Sequence, residues 1–422
     1  MHSSTTTKAY DLAKERYAEF GVDTEAALAK LEGLSISLQC WQGDDVGGFE
    51  TPESVLSGGG IQVTGNYPGK ARTVAELRQD AEKAFSLIPG RHRFNLHAMY
   101  GEFGGKKVDR DAIGPEHFKG WIEWAKAQNL KLDFNASCFS HPKADSGFTL
   151  SHADRAVREF WMAHVQRCRA ISGVMGRELA SPCIHNLWIP DGSKDAPADR
   201  WGPRTRLRES LDEIFAVAYN RTEMKDAVEC KLFGIGSEAY VAGSHEFYLG
   251  YALANGKIIC LDMGHFHPTE SVADKLSALM QFCPELLLHV SRGVRWDSDH
   301  VVILNDELRA VAAEIVRGQA LNRIHLALDF FDASIHRVAA WIIGTRATLK
   351  AILMALLEPY SKLREFENAG DYGGRLALQE ETKGLPFGAV WDYYCEKMNV
   401  PPAFAWWKDL KTYEVDVTGK RR

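Results

Sequence analysis

The sequence lacks the features that mark several common classes of protein. It has no net basic charge, because 50 Lys and Arg stand against 56 Asp and Glu, a formal charge of −6. This balance disfavours a protein whose main partner is nucleic acid, since phosphates attract cations. Residues 1–8 contain no basic region followed by an apolar stretch, so they do not read as a signal peptide. The most apolar stretch, 338–357, is interrupted by Arg346 and Lys350, which predicts a buried or interfacial helix rather than a membrane span.

The sequence also has no CxxC pair, although it contains eight cysteines. Scattered cysteines in a long chain without a signal peptide are typical of reduced, mostly buried thiols. We therefore expect a cytoplasmic protein without disulfides and without cysteine-bound zinc. The cysteines are Cys40, Cys138, Cys168, Cys183, Cys230, Cys260, Cys283 and Cys395.

What is present is a composition with enough apolar residues, 45%, for a full globular core. Eight short runs with apolar or alternating character indicate strands, and helical periodicity fills most of the segments between them. Examples of the helical segments are 8–31, 151–174, 206–219 and 270–282. The second of these opens with a capping-box-like run from Ser151 to Asp154. The predicted strands are 35–41, 94–97, 130–134, 183–188, 227–233, 258–262, 286–290 and 324–329.

Eight βα units predict an α/β fold, a (β/α)8 TIM barrel. A doubly wound open sheet also alternates strands and helices, but the count of eight favours closure and no GxGxxG follows an early strand. We place a helical segment at 1–34, the catalytic barrel at 35–345 and a helical and loop extension at 346–422. The extension is rich in tryptophan, which favours subunit contacts. The alternative is that it packs on its own subunit.

Acidic and imidazole side chains mark the carboxyl ends of the last four predicted strands, where the active site of such a barrel lies. Taken singly, each has a plain explanation: a Glu-x-Lys in a strand is usually an ion pair, and an Asp-Ser-Asp is usually a solvated turn. They are Glu229 with Lys231, Asp262 with His265, His289 with Asp297 and Asp299, and Asp329 with Asp332.

Taken together, these residues predict a metal site. Several carboxylates cannot share a small cavity without compensating cations. Carboxylate-rich ligation with a few imidazoles suits Mn²⁺, Mg²⁺ or Co²⁺ better than a thiolate-selected metal.

Four other histidines are interpreted from their positions relative to the predicted strands. His185, His267 and His325 are interpreted as structural. His97 and Trp188 stand at the ends of the second and fourth strands, so we expect them to line a substrate pocket.

Several strings resemble the L-rhamnose isomerase family, and the resemblance covers nearly the whole chain. They are CWQGDDV at 40–46, NLWIPDGS at 186–193, LDMGHFHPTE at 261–270, LHVSRGVRWDSDH at 288–300 and LDFFDAS at 328–334. The family is similar in architecture to xylose isomerase, a tetrameric metal-dependent barrel. The resemblance therefore implies a homotetramer acting on a small sugar, with no nucleic acid or membrane partner.

The resemblance also implies a ligand set for two divalent ions, usually Mn²⁺, with Co²⁺, Mg²⁺ or Zn²⁺ possible. The first ion would be held by Glu229, Asp262, His289 and Asp329. The second would be held by His265, Asp297 and Asp299, with Asp262 bridging both. Lys231 would support charge on a sugar oxygen, and Asp332 matches no ligand position.

The implied reaction is an aldose–ketose isomerisation between L-rhamnose and L-rhamnulose, with Lys231, Asp329 and His265 as the catalytic residues. We expect a hydride shift between C1 and C2, with a metal-bound water or hydroxide moving the O2 proton. A cis-enediol route would instead need a carboxylate or histidine base. Preference for another aldose, a metal-dependent DNA-repair nuclease and a non-catalytic sugar- or metal-binding barrel are the rival readings.

Overall fold

A closed barrel of eight parallel strands forms the centre of the computed structural model, which describes residues 4–50, 63–233, 236–294 and 299–421. Each strand pairs with its neighbours in sequence, and the last strand pairs with the first. The predicted barrel is therefore confirmed and the open sheet is excluded. The strands are β1 (Ile36–Gln39), β2 (Arg93–His97), β3 (Lys131–Asn135), β4 (Cys183–Leu187), β5 (Met224–Glu229), β6 (Ile258–Asp262), β7 (Leu286–Val290) and β8 (Ile324–Leu328).

Fourteen α-helices lie in the described residues, and eight of them follow the barrel strands in turn. In α9, for example, Leu308, Val311 and Ile315 form a buried stripe, and Asn305 caps the helix by accepting from the Leu308 N–H. The helices are α1 (Ser4–Glu19), α2 (Thr24–Glu32), α3 (Val74–Phe85), α4 (Lys119–Ala127), α5 (Arg155–Glu178), α6 (Trp201–Phe215), α7 (His245–Asn255), α8 (Val272–Leu279), α9 (Asp306–Arg317), α10 (Arg337–Leu356), α11 (Tyr360–Asn368), α12 (Tyr372–Thr382), α13 (Phe387–Lys397) and α14 (Trp406–Asp416).

The strand register sets the level of the polar residues at the carboxyl end of the barrel. Glu229 on β5 lies beside Cys260 on β6, and Asp262 on β6 lies beside His289 on β7. Every residue of β4, β6 and β7 is buried, because helices cover the outside of the barrel and side chains fill its interior. The carboxylates and imidazoles of neighbouring strands therefore lie at the same level along the barrel axis.

Three predicted helical segments start elsewhere in the structure. The segment predicted at 206–219 is α6, Trp201–Phe215. The stretch 8–31 is divided into α1 and α2, because Gly21 adopts φ +78° and Asp23 caps a new helix, accepting from two N–H groups. The helix expected to open at Ser151 begins at Arg155, with Asp154 as its cap.

The helix α10 is the eighth barrel helix, and it runs across the predicted boundary at 345/346. Among the described helices, only α10 is long and apolar enough to cross a membrane, and 83% of its most apolar window is buried within the protein. It packs against α9 and α3, as the last helix of a closed barrel must. The position of the domain boundaries otherwise stays a prediction.

Part of the C-terminal extension packs on its own chain. The rings of Tyr393 in α13 and Tyr10 in α1 stack with centroids 3.8 Å apart. Trp391 and Trp406 are buried, and the Arg346 guanidinium lies 5.2 Å and 6.0 Å from their ring centroids. These tryptophans therefore follow the alternative reading of the extension as an intramolecular packing element.

Candidate metal centre

Four side chains from the last four strands meet at the carboxyl end of the barrel. Glu229, Asp262, His289 and Asp329, here called the inner cluster, offer ligand atoms that all lie within 4.8 Å of one another. His289 Nδ1 lies 3.1 Å from both Glu229 Oε1 and Asp329 Oδ2, and 3.7 Å from Asp262 Oδ2. All of the inner cluster except the partly exposed Asp329 is buried. The first predicted ligand set is thus assembled in space.

A second group shares one of these carboxylates. Asp262, His265 and Asp299, here called the outer cluster, also bring ligand atoms within 4.8 Å of one another. His265 Nδ1 lies 2.8 Å from the carbonyl oxygen of Cys230, which can only accept, so Nδ1 carries the proton and Nε2 is the nitrogen able to bind an ion. Asp297, the other residue predicted for this group, lies outside the described residues.

The surroundings of the inner cluster favour positive charge. Burial, together with the repulsion of Glu229 and Asp262, raises the pKa of Asp329 to about 7. Burial alone would lower the pKa of His289, but the Cys260 thiol and then the carboxylates of Glu229 and Asp329 raise that pKa well above its usual range. A cation at the centre of this cluster is therefore stabilised by its surroundings.

One orphaned polar atom supports the fit of a divalent ion. In the described part of the chain, Asp262 Oδ2 is buried, faces the inner cluster and has no hydrogen-bond partner. Buried polar atoms without a partner are rare, and an ion between carboxylates is one physical reason for an unpaired oxygen. The donor set, rich in carboxylate oxygen with imidazole nitrogen, suits Mn²⁺ or a similar divalent ion.

Two neighbours of the inner cluster were missed by sequence reasoning. The Asn186 Nδ2 donates to Glu229 Oε2 at 2.5 Å from the adjacent strand β4. The thiol of Cys260 lies within 4.8 Å of ligand atoms of Glu229 and His289. Strand parity could have found Cys260, because it stands two residues before Asp262 and points the same way. All eight cysteines are free and buried.

The three residues predicted to bind substrate line the cavity beside the clusters. The Lys231 Nζ lies 5.2 Å from the centroid of the Trp188 ring. The indole Nε1 of Trp188 is buried without a hydrogen-bond partner among the described residues, so it can donate to a bound hydroxyl. His97 Nδ1 lies 3.1 Å from Ser137 Oγ, and burial lowers the pKa of His97 to about 3. His97 is therefore neutral at physiological pH.

Apolar and aromatic side chains also line this cavity. Trp41 and Val46 from the 40–46 string line it, as do Phe139 and Phe331, which were not anticipated. They come from loops whose path periodicity does not specify. A cavity lined by carboxylates, imidazoles and aromatic rings fits a small polyol with an apolar end.

The residues interpreted as structural make other contacts. His185 Nδ1 lies 3.5 Å from Asp226, His325 Nε2 lies 2.6 Å from Glu285, and His267 Nδ1 lies 2.7 Å from Thr269 Oγ1. Asp332 Oδ1 accepts from both the N–H and the Oγ of Ser334, 2.7 Å and 2.6 Å away, so its carboxylate closes a turn.

Comparison with known proteins gives one consistent result. The chain matches the sequence profile of the L-rhamnose isomerase family over residues 4–421. It is 59% identical over 414 residues to the L-rhamnose isomerase of Rhodopirellula baltica, covering 98% of this chain and 96% of that protein. It is 56% identical over 414 residues to an L-rhamnose isomerase of Escherichia coli, covering 98% of each. A solved L-ribulose 3-epimerase aligns with TM-score 0.47 and 10% identity over 78% of this chain and 97% of its own, a likeness too weak to carry an argument.

Proposed function

Since the chain belongs to the L-rhamnose isomerase family, it is an aldose–ketose isomerase of L-rhamnose, and we propose that the inner and outer clusters each hold one divalent ion for this reaction. The proposal rests on the position of Asp262, because its carboxylate belongs to both clusters. One shared carboxylate keeps two ions close enough to act on neighbouring oxygens of a single sugar.

The proposed ligands of the first ion are Glu229, Asp262, His289 and Asp329. Those of the second are Asp262, His265 and Asp299, with Asp297 added from the resemblance. We propose Mn²⁺ as the ion, with Co²⁺, Mg²⁺ or Zn²⁺ as substitutes, because carboxylate oxygen dominates both groups. When bound, such ions polarise the carbonyl and hydroxyl oxygens at C1 and C2 of the sugar.

The side chains around the ions have distinct tasks in this proposal. Lys231 places its ammonium beside a sugar oxygen and stabilises the negative charge that develops there. Asp329 and His265 contribute through the ions that they hold. Trp188 donates from Nε1 to a sugar hydroxyl, and His97 hydrogen-bonds another as a neutral imidazole.

We propose that hydrogen moves directly from C2 to C1 as hydride while the O2 proton is transferred to O1, so that the aldehyde at C1 becomes an alcohol and C2 becomes the ketone carbon. An enediol route needs a base that can remove the C2 proton. Outside the two clusters, the described cavity lining offers two titratable groups, Lys231 and His97. His97 is a weak base because burial lowers its pKa to about 3. Lys231 cannot serve as the base either, because an ammonium cannot accept a proton.

We also propose that the protein is a cytoplasmic homotetramer, as the resemblance implies. The helix α12 supports an assembly, because it buries none of its residues and exposes 62% of Tyr372 and 58% of Leu376. Apolar side chains of this kind are commonly covered by a subunit contact. Light scattering on the purified protein measures the number of chains.

The activity is tested by following ketose formation from L-rhamnose with the enzyme as purified, after EDTA, and after Mn²⁺ is restored. We expect activity to be lost with EDTA and recovered with Mn²⁺. Full activity after thorough chelation would contradict the two-ion site. Turnover of other aldoses but not of L-rhamnose in the Mn²⁺-loaded enzyme would contradict the substrate.

A further inference from the structure

The hydroxyl of Ser291, the residue that follows β7, contacts the carboxylate shared by both clusters. Ser291 Oγ donates to Asp262 Oδ1 at 2.5 Å and accepts from the N–H of Gly264 at 3.0 Å. The same N–H also donates to Asp262 Oδ1 at 2.5 Å. Ser291 is 2% exposed and Asp262 is fully buried, so water does not compete for these bonds.

The two carboxylate oxygens of Asp262 differ in their hydrogen bonds. Oδ1 takes two neutral donors, whereas Oδ2 has no hydrogen-bond partner in the described residues and lies 3.7 Å from His289 Nδ1. A carboxylate can turn about its Cβ–Cγ bond, and two donors on one oxygen oppose that rotation. Oδ2 therefore faces the inner cluster.

We propose that Ser291 is a positioning residue for the metal site, holding Asp262 in the orientation in which its carboxylate serves both clusters. This inference rests on the proposed function only in requiring that divalent ions bind there. Ser291 is absent from the described residues that line the sugar cavity, so it acts through Asp262 and not on the substrate. Groups that hydrogen-bond metal ligands orient those ligands and set their affinity for the ion.

Gly264 supplies independent evidence for a close-fitting arrangement. A Cβ at this position would lie 3.0 Å from Ser291 Oγ and 3.1 Å from both Asp262 Oδ1 and Asp299 Oδ1. These separations are tighter than ordinary van der Waals contact, so a side chain would push apart the serine and the two carboxylates. The absence of a side chain at Gly264 lets the backbone N–H and the Ser291 hydroxyl reach the same oxygen.

The test compares Ser291→Ala with Ser291→Thr, which keeps a hydroxyl, and with Ser210→Ala as a matched control. Ser210 lies in α6 and is also buried, and its Oγ donates to the carbonyl oxygen of Leu150 at 2.8 Å. Each Mn²⁺-loaded protein is titrated with a chelating dye, without sugar, and the release of ions is measured. We expect Ser291→Ala to bind at least one Mn²⁺ roughly 10- to 100-fold more weakly. Ser291→Thr and Ser210→Ala should behave as the wild type.

Wild-type Mn²⁺ affinity in Ser291→Ala would overturn the proposal. Should that variant fail to fold, Ser291→Cys replaces it, since a thiol is a weak donor of similar size. Weakened binding in Ser291→Cys supports the proposal, and wild-type affinity overturns it. Because no sugar is present, a protein whose Mn²⁺ affinity depends on Ser291 yet which does not isomerise L-rhamnose would refute the proposed function alone.

Discussion

The side-chain amide of Asn186 donates to Glu229 Oε2 at 2.5 Å, across neighbouring strands in the buried interior of the barrel. Glu229 Oε1 then faces His289 Nδ1 at 3.1 Å. Burial alone would raise the pKa of Glu229, but His289, His265 and this amide lower it. His289 does most to keep Glu229 ionised. Asn186 adds to this effect and leaves one oxygen of Glu229 directed at the inner cluster.

Replacing Asn186 with Ala is expected to weaken Mn²⁺ binding roughly 10- to 100-fold, because the buried Glu229 Oε2 loses its donor. Chelator titration of the loaded enzyme measures this change. An affinity equal to that of the wild type would show that Glu229 is oriented by other contacts.

Replacing Asp329 with Asn is expected to remove the first ion, because a neutral amide is a poor ligand and the cluster loses one charge. Asp332→Asn is a matched control, since Asp332 lies three residues further on and its carboxylate closes a turn with Ser334. Metal analysis after gel filtration should find one ion fewer per chain in Asp329→Asn and no loss in Asp332→Asn. Full metal content and activity in Asp329→Asn would refute the assignment and point to Asp332.

Replacing Lys231 with Met is expected to lower kcat by roughly 10²- to 10³-fold, as does removal of a group that stabilises developing negative charge. Metal content should stay at the wild-type level, which separates this effect from ligand loss. Lys275→Met is the control, because Lys275 lies over the Phe266 ring at 4.4 Å and pairs with Glu270. A kcat reduced equally in both variants would argue against a role for Lys231 on the sugar.

Replacing Asp226 with Asn tests a buried ion pair on β5 that lies away from the sugar cavity. Burial would raise the pKa of Asp226, but its contacts with His185 and with Arg169, 2.9 Å away, hold that pKa below its usual range. Breaking the pair leaves Arg169 buried and unpaired, so we expect the free energy of unfolding at pH 7 to fall by roughly 3–5 kcal/mol.

The sign of the pH dependence follows from the lowered pKa. A carboxyl with a depressed pKa in the folded state stabilises the fold above its unfolded pKa, near the ordinary value of 3.8. That contribution is lost as the pH falls through the folded pKa. Denaturant unfolding in EDTA should therefore show that the difference in the free energy of unfolding between wild type and Asp226→Asn becomes smaller below about pH 4. A difference that stays constant with pH would contradict the assignment.

Much of the fold follows from residue patterns. Eight apolar runs indicate the eight strands, because strands covered by helices on the outside and packed within read as continuous apolar segments. Helix starts were less predictable where several residues could serve as a cap. Ser151 looks like a cap, but its N–H and Oγ both donate to Asp191, and Asp154 caps α5 instead.

The candidate site was predictable to the extent that its residues stand at strand ends. Asp262 and His289 are neighbours in register, so their meeting follows from the barrel itself. Asn186 and Ser291 were not anticipated as partners of these ligands, because a hydrogen bond between strands depends on side-chain rotamers that the sequence pattern does not encode. Phe139 and Phe331 were missed because loops place them.

We propose that this chain isomerises L-rhamnose by moving hydrogen directly between C2 and C1. It is tested most directly with L-rhamnose deuterated at C2, converted by the Mn²⁺-loaded enzyme in ordinary water and followed by NMR. We expect L-rhamnulose that keeps the deuterium at C1. Substantial loss of deuterium to the solvent would contradict the direct transfer, and the absence of any L-rhamnulose would contradict the activity.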